Sequence, residues 1–156
     1  MPKDDHKAIV GRWFDDLFLR DDLDAVDDLV APDFVAHGQG GMADIHGRET
    51  FRDWLRWYTS AFVDRAWAVH DIISEGDKVV ARCSGRATYK GGLLDIPSED
   101  QRVIETSILI LRVEDGPVRE LWSEMSDLQL VMQLGALPNA ESGEGGRVVD
   151  EEGRPN

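Results

Sequence analysis

The chain has 156 residues, of which 42% are hydrophobic, and a formal net charge of −14. This length and composition predict one globular domain with one core. The acidic balance argues against nucleic acid and anionic membranes as partners, because their charge has the same sign, and the single cysteine excludes an internal disulfide.

The first part of the chain predicts three helices and one short strand. Apolar residues at helical spacing over 9–18 give the first helix an apolar face. Asp22 is the expected N-cap of a second, short helix, which ends before Pro32 because the residue before proline disfavours helical geometry. A strand and a glycine-rich loop follow, and apolar positions over 51–62 predict the third helix.

The rest of the chain predicts antiparallel strands joined by tight turns at Gly76–Asp77 and Asp115–Gly116. A short terminal helix ends before Gly135. Helices on one side of a curved antiparallel sheet make an α+β fold, and three helices over such a sheet can enclose a cone with an open end. Residues 1–138 are therefore predicted to form this domain, and the polar, glycine-rich residues 139–156 a disordered tail.

Several stretches carry a family resemblance. In chain order they are DLDAVDDLVAPDFVAHG, HGRETFRDWLRWYTSAFVD, DIISEGDKVVARCSGRATYKGGLLDIP and RVEDGPVRELW. Together they resemble the SnoaL-like polyketide cyclases of the nuclear-transport-factor-2-like superfamily. The resemblance implies a conical α+β barrel and a hydrophobic, polyketide- or terpenoid-type small-molecule substrate in secondary metabolism, including antibiotic biosynthesis. The superfamily also contains isomerases, epoxide hydrolases and non-catalytic binders.

The resemblance assigns several site positions to this chain. His37 matches a family histidine near the start of the sheet, and Tyr89 stands where the family often has a histidine. The histidine and the acid/base aspartate that many members carry after the last hairpin are replaced by Leu121 and Ser123. A later aspartate is retained as Asp127.

Strand alternation extends this site to a carboxylate. If Leu109 and Ser123 face the pocket, as the resemblance implies, Glu105 and Ser107 share that face. Glu105 interrupts the apolar stretch VIETSILIL, and apolar surroundings would raise its pKa into the range of a useful acid/base group. Alternatively, Glu105 lies at the open rim and is hydrated.

Three other candidates each have an ordinary structural explanation. Asp127 can act as acid/base at the pocket mouth or cap the terminal helix. His37 can act as a base or orient substrate, or it can be a strand-end histidine bonded to backbone. Tyr89 can donate a hydrogen bond to a substrate oxygen or simply pack.

Aromatic side chains on the helices are expected to line or close the cone, although such a stripe is often plain core. The expected substrate contacts are Phe14, Trp54, Tyr58, Ser107, Leu109 and Ser123. No metal-ligand spacing is present, so no metal or cofactor is expected. The opposite face of one strand carries Ile104, Ile108 and Ile110, which predicts a homodimer through the outer face of the sheet.

Two hypotheses therefore remain open. The first is a cofactor-independent enzyme that performs ring closure, isomerisation or epoxide opening, with Glu105 or Asp127 moving a proton and Tyr89 and His37 donating hydrogen bonds. The second is a non-catalytic binding protein on the same fold; a structural subunit whose own side chains fill the pocket is a third possibility. The N-terminal sequence lacks an apolar signal core, so a cytoplasmic location is expected.

Overall fold

The structure is a computed structural model and describes residues 3–38 and 43–137. The predicted tail over 139–156 lies outside the described residues. The elements in chain order are α1 (Lys3–Arg12), a π-helix (Trp13–Leu19), α2 (Ala25–Leu29), β1 (Val30–His37), β2 (Ile45–His46), α3 (Arg48–Ala61), β3 (Phe62–Glu75), β4 (Lys78–Tyr89), β5 (Arg102–Val113), β6 (Val118–Met125) and α4 (Asp127–Gln133). No described helix is both long and apolar enough to cross a membrane.

The strands form one curved, unclosed sheet in the order β2-β1-β6-β5-β4-β3. The predicted α+β fold of the nuclear-transport-factor-2-like type is therefore confirmed. The expectation of a wholly antiparallel sheet needs one correction, because β1 and β6 run parallel. Parallel neighbours need a long connection, and this pair is connected by the chain between His37 and Val118.

The predicted first helix is divided into α1 and the π-helix. The π-helix buries Trp13, Phe14, Leu17 and Phe18, so its wider turn still presents an apolar side to the sheet. Asp22 Oδ1 accepts hydrogen bonds from the backbone N–H groups of Asp24 and Ala25 at 3.1 and 3.2 Å. Asp22 thus satisfies the first donors of α2 from just outside the helix, although the N-cap position itself is Asp24.

The N-terminal helix is more firmly packed than its sequence indicates. His6 on α1 is 2% exposed. Its Nδ1 lies 2.6 Å from Ser74 Oγ on β3. This contact holds α1 against the long edge strand.

Both predicted turns are present. Gly76–Asp77 joins β3 to β4, with Gly76 at φ +59°. Asp115 and Gly116 have φ +57° and +110°, the left-handed geometry that a two-residue hairpin needs. The Glu114 N–H closes that hairpin by donating to the Pro117 carbonyl at 3.2 Å.

A glycine in the middle of β4 makes room inside the domain. Gly85 pairs with Trp67 on β3 and with Glu105 on β5, so the three residues form one row across the sheet. A Cβ atom at Gly85 would lie 2.8–2.9 Å from three atoms of the Trp67 ring. The indole therefore lies over the glycine backbone, and any larger side chain would displace it.

Replacement of Gly85 by alanine is expected to lower the free energy of unfolding by about 1–3 kcal/mol, because the added methyl group overlaps the Trp67 ring. The measurement is urea denaturation followed by circular dichroism. Gly11→Ala in α1 is the matched control, since a Cβ there meets nothing within 4 Å and helix propensity favours alanine. Equal stability of Gly85→Ala and wild type would contradict the close approach of Trp67.

Candidate active site

A partly open cavity of about 140 Å³ lies between the helices and the inner face of the sheet. Nine aromatic residues line it: Trp13, Phe14, Phe18, Phe51, Trp54, Trp57, Tyr58, Phe62 and Trp67. Its charged residues are Glu105 and Asp127, and Ser107, Leu109, Leu121 and Met125 complete the sheet side. A pocket filled by its own side chains, one of the three possibilities, is therefore wrong.

The aromatic wall follows from the spacing on α3. Phe51, Trp54 and Tyr58 are three and four residues apart, so they share one face of the helix. The Phe51 and Trp54 rings stack at a centroid distance of 5.8 Å, and the Trp54 and Tyr58 rings at 5.3 Å, both within 20° of parallel. The helix thereby supplies a continuous aromatic surface to the cavity.

Glu105 lies on β5 and faces the cavity, as strand alternation predicted. It is 6% exposed, so the alternative of a hydrated rim residue is wrong. Its carboxylate accepts no hydrogen bond from any residue that the structure describes. Burial, and then the negative charge of Asp127, raise the pKa of Glu105 to about 7.

Asp127 is the first residue of α4 and also lines the cavity. The N-cap position is Ser126, so the predicted capping role of Asp127 is wrong. Ser126 Oγ accepts the Thr106 N–H at 2.9 Å and ties the start of α4 to β5. Asp127 is left to face inward, where burial and then Glu124 raise its pKa.

The other sheet residues that were predicted to contact substrate do not all line the cavity. Leu109 lines the cavity, and Ser107 does so with its Oγ 2.9 Å from the Cys83 Sγ. Ser123 shares the strand parity of Leu121, yet its hydroxyl is buried without a partner among the described residues and adds nothing to the cavity surface. Ser123 is therefore not a lining residue of this aromatic cavity.

Tyr89 does not reach the cavity. It is fully buried at the end of β4, where its hydroxyl donates to the Ile96 carbonyl at 2.8 Å and accepts the Leu93 N–H at 2.9 Å. A hydroxyl held in this way has no room for a substrate oxygen. Tyr89 instead fixes the following loop, which contributes Leu93 and Leu94 to the cavity rim.

His37 lies on the outer face of the sheet. Its Nε2 is 2.8 Å from Glu120 Oε1, and its ring stacks on Trp122 at a centroid distance of 5.1 Å. His37 pairs in register with Trp122, whose side chain points away from the cavity, and this parity excludes it from the inner face. The carboxylate pairing lowers the pKa of Glu120, with Arg112 as the second hydrogen-bond donor.

Sequence reasoning missed other lining residues. Trp67 is brought in by the row across Gly85, and a lone glycine within a strand pattern is the signal that could have indicated it. Leu130 and Val131 come from α4, which folds back over the open end of the cavity. Within residues 3–38 and 43–137, no three His, Cys, Asp or Glu side chains are grouped to hold a metal ion.

A model of the SnoaL-like polyketide cyclase family matches residues 8–134. The chain belongs to this family. No curated protein matches the chain.

Several solved structures are similar to it. TsrD from Streptomyces laurentii is 27% identical, with a TM-score of 0.78 over 88% of this chain and 99% of that one. IdmH from Streptomyces antibioticus, provisionally described as a polyketide cyclase, is 26% identical, with a TM-score of 0.71 over 83% and 97%. AclR from Streptomyces galilaeus, provisionally described as a hydroxylase, is 26% identical, with a TM-score of 0.70 over 88% and 86%.

The buried Glu105 makes the stability of this SnoaL-like protein depend on pH. Its folded-state pKa of about 7 exceeds the ordinary value of 4.5, so unfolding releases a proton between these values and stability falls as pH rises through them. Because glutamine does not ionise, the free energy of unfolding of Glu105→Gln should fall by up to about 3 kcal/mol less than that of wild type over this pH range. The measurement is the difference in unfolding free energy between variant and wild type at pH 5 and pH 8.

The control is Glu75→Gln, which alters an exposed glutamate at the end of β3. The difference in unfolding free energy between Glu75→Gln and wild type should be the same at pH 5 and at pH 8. If the Glu105→Gln difference is equally constant, Glu105 is not the buried acid that the structure indicates.

Proposed function

We propose that the protein is a cofactor-independent cyclase or isomerase that moves a proton within a hydrophobic, polyketide- or terpenoid-type molecule. The observation that carries the proposal is Glu105, a buried carboxylate without a hydrogen-bond partner among the described residues, in a cavity lined by nine aromatic residues. A general acid/base works best when its pKa is near the working pH, and burial raises that of Glu105 to about 7. A role in antibiotic biosynthesis is part of the same proposal.

Glu105 is the group that exchanges the proton. In its ionised form it removes a proton from an activated C–H bond of the substrate, and in its protonated form it returns that proton to carbon or oxygen. The charge of Asp127 favours the protonated form of Glu105, so the two carboxylates behave as a pair that binds one proton readily. Asp127 lies at the α4 side of the cavity and can receive a proton from the opposite side of the substrate.

Tyr58 replaces Tyr89 as the polarising donor in this proposal. Burial, and then the charge of Glu105, raise the pKa of Tyr58, so its hydroxyl keeps its proton at neutral pH. A neutral hydroxyl in an apolar cavity can hydrogen-bond to a substrate carbonyl while that oxygen gains negative charge. The same groups could open an epoxide with water: Asp127 takes a proton from the attacking water, whose oxygen bonds to a ring carbon, while the ring C–O bond breaks and protonated Glu105 gives its proton to the ring oxygen.

A non-catalytic binding protein is the second candidate. Leu121 and Ser123 occupy the positions where the resemblance implies a histidine and an aspartate, and the Ser123 hydroxyl does not reach the cavity. No described residue orients Glu105 by a hydrogen bond. Both observations fit a cavity that binds a ligand without changing it.

The test is a model proton transfer, the ring opening of 5-nitrobenzisoxazole. A carboxylate in an apolar pocket takes the ring C–H proton, the N–O bond breaks, and a coloured phenolate forms. The wild-type rate should rise with pH through about 7 and fall about 100-fold or more in Glu105→Gln. Ligand binding, followed by the fluorescence of the cavity tryptophans, should persist in the variant.

Glu75→Gln, far from the cavity, should retain the wild-type rate. Asp127→Asn should shift the pH profile towards lower pH, because the charge that raises the pKa of Glu105 is removed. If Glu105→Gln retains the wild-type rate, Glu105 does not transfer the proton. If wild type binds the probe but does not turn it over, the binding-protein alternative stands.

We also propose that a second copy of the chain covers the outer face of the sheet. Ile104 and Ile108 are 58% and 48% exposed there, beside the half-buried Ile110 and Trp122 on neighbouring positions of β5 and β6. Exposed apolar side chains of this size are unfavourable in water. The pairing of two such faces would remove them from solvent in both copies.

Ile104→Glu combined with Ile108→Glu is expected to convert a dimer into a monomer, because burial of two charges in each copy would oppose association. Sedimentation equilibrium measures the mass. Leu19→Glu, an equivalent change of an exposed leucine on the helical side, should leave the mass unchanged. A wild-type protein that is monomeric at high micromolar concentration would contradict the proposal.

A further inference from the structure

The charged side chains that line the cavity are both acidic. Its lining includes the carboxylates of Glu105 and Asp127, and no lysine, arginine or histidine among the described residues lines it. Arg65 is a cation whose charge acts on the cavity residue Tyr58. Its guanidinium is engaged elsewhere: it donates to the carbonyls of Phe18 and Thr59 at 2.6 and 3.0 Å and pairs with Asp21.

Within the uncharged part of the wall, Trp57 and Trp67 are tryptophans that do not stack face to face on a neighbouring ring, and they have the same electrostatic preference. Aromatic rings carry partial negative charge on their faces, and they attract cations placed over them. Trp67 lies over Gly85 with one face, and Phe14 packs near it at a centroid distance of 5.2 Å. Four of the five tryptophans of the chain line this cavity, and tryptophan is the strongest aromatic partner of a cation.

We propose that the cavity selects substrates that carry a positive charge within an apolar ring system, namely hydrophobic amines in their protonated or quaternary form. The ammonium group would lie between Glu105 and the aromatic wall, with the rest of the molecule against the leucines at the rim. The inference rests on the proposed function only in using the same cavity and the same carboxylate. It names the charge of the substrate, which the proton-transfer chemistry does not require.

The reverse preference follows from the same groups. A substrate with its own carboxylate would enter a site with two acidic groups and no described cation to pair with it. Such a ligand would have to be desolvated without compensation. Anionic molecules should therefore be excluded, while neutral ones bind through apolar contact alone.

The test compares three small ligands with the same ring: benzyltrimethylammonium, benzyl alcohol and phenylacetate. Binding is followed by tryptophan fluorescence at pH 8. Benzyltrimethylammonium should bind on the order of tenfold more tightly than benzyl alcohol, and phenylacetate should bind most weakly. Equal affinities for the cation and the alcohol would overturn the inference.

The dependence on pH identifies the carboxylate. The charge of Asp127 on α4 acts on Glu105, and the charges of Glu105, Arg65 on β3 and Cys83 on β4 act on Tyr58 of α3. Burial raises the pKa of both Tyr58 and Cys83, so neither gains charge as Glu105 ionises. Between pH 5.5 and pH 8 the affinity for the permanent cation should rise several-fold, while that for benzyl alcohol should not change.

Variants separate this inference from the proposed function. Glu105→Gln should lose most of the preference for the cation and bind benzyl alcohol as before, whereas Glu75→Gln should match wild type. If Glu105→Gln does not fold, Asp127→Asn should still weaken cation binding by several-fold. If Glu105→Gln loses turnover of the nitrobenzisoxazole but binds the cation as wild type does, the inference is overturned and the proposed function stands. If Glu105→Gln loses the preference for the cation but keeps the wild-type turnover, the proposed function is overturned and the inference stands.

Discussion

The burial of one carboxylate among aromatic rings is the constraint on which the site depends. Water would stabilise the charge of Glu105, and the cavity offers no hydrogen bond from the described residues in its place. The pKa of Glu105 is therefore about 7, so the acid gains or loses its proton near neutral pH. A second carboxylate on α4 adds to this effect, and a nearby tyrosine hydroxyl remains neutral for the same reason.

The fold creates this environment with a curved sheet in which Trp67, Gly85 and Glu105 lie side by side on three neighbouring strands. Gly85 removes one side chain between Trp67 and Glu105, so that an indole lies over the backbone where a larger residue would fill the cavity. The stacked rings of α3 form the opposite wall. The cavity is consequently lined by residues of six elements, the π-helix, α3, β3, β5, β6 and α4, and by the loop that carries Leu93 and Leu94.

Hydrogen-bonded side chains around the cavity hold the structure together. Tyr89 binds the loop that carries Leu93 and Leu94, and Ser126 binds the start of α4 to β5. On the outer face of the sheet, the ring of His37 is hydrogen-bonded to Glu120. Polar groups that appear in a family-like pattern are thus used for support, while Glu105 accepts no hydrogen bond from the described residues.

The sequence alone determined the α+β class, the order of the main elements and both hairpin turns, because periodicity and turn chemistry are local properties. Strand alternation, combined with the family resemblance, indicated the inward direction of Glu105. The sequence also indicated Phe14, Trp54, Tyr58 and Leu109 as cavity residues. Only the tertiary structure decided that His37 faces outward, that Tyr89 is bonded to its own loop and that Trp67 enters the cavity over Gly85. These depend on strand partners and loop paths far away in the chain, and no local pattern specifies which neighbour a side chain will meet.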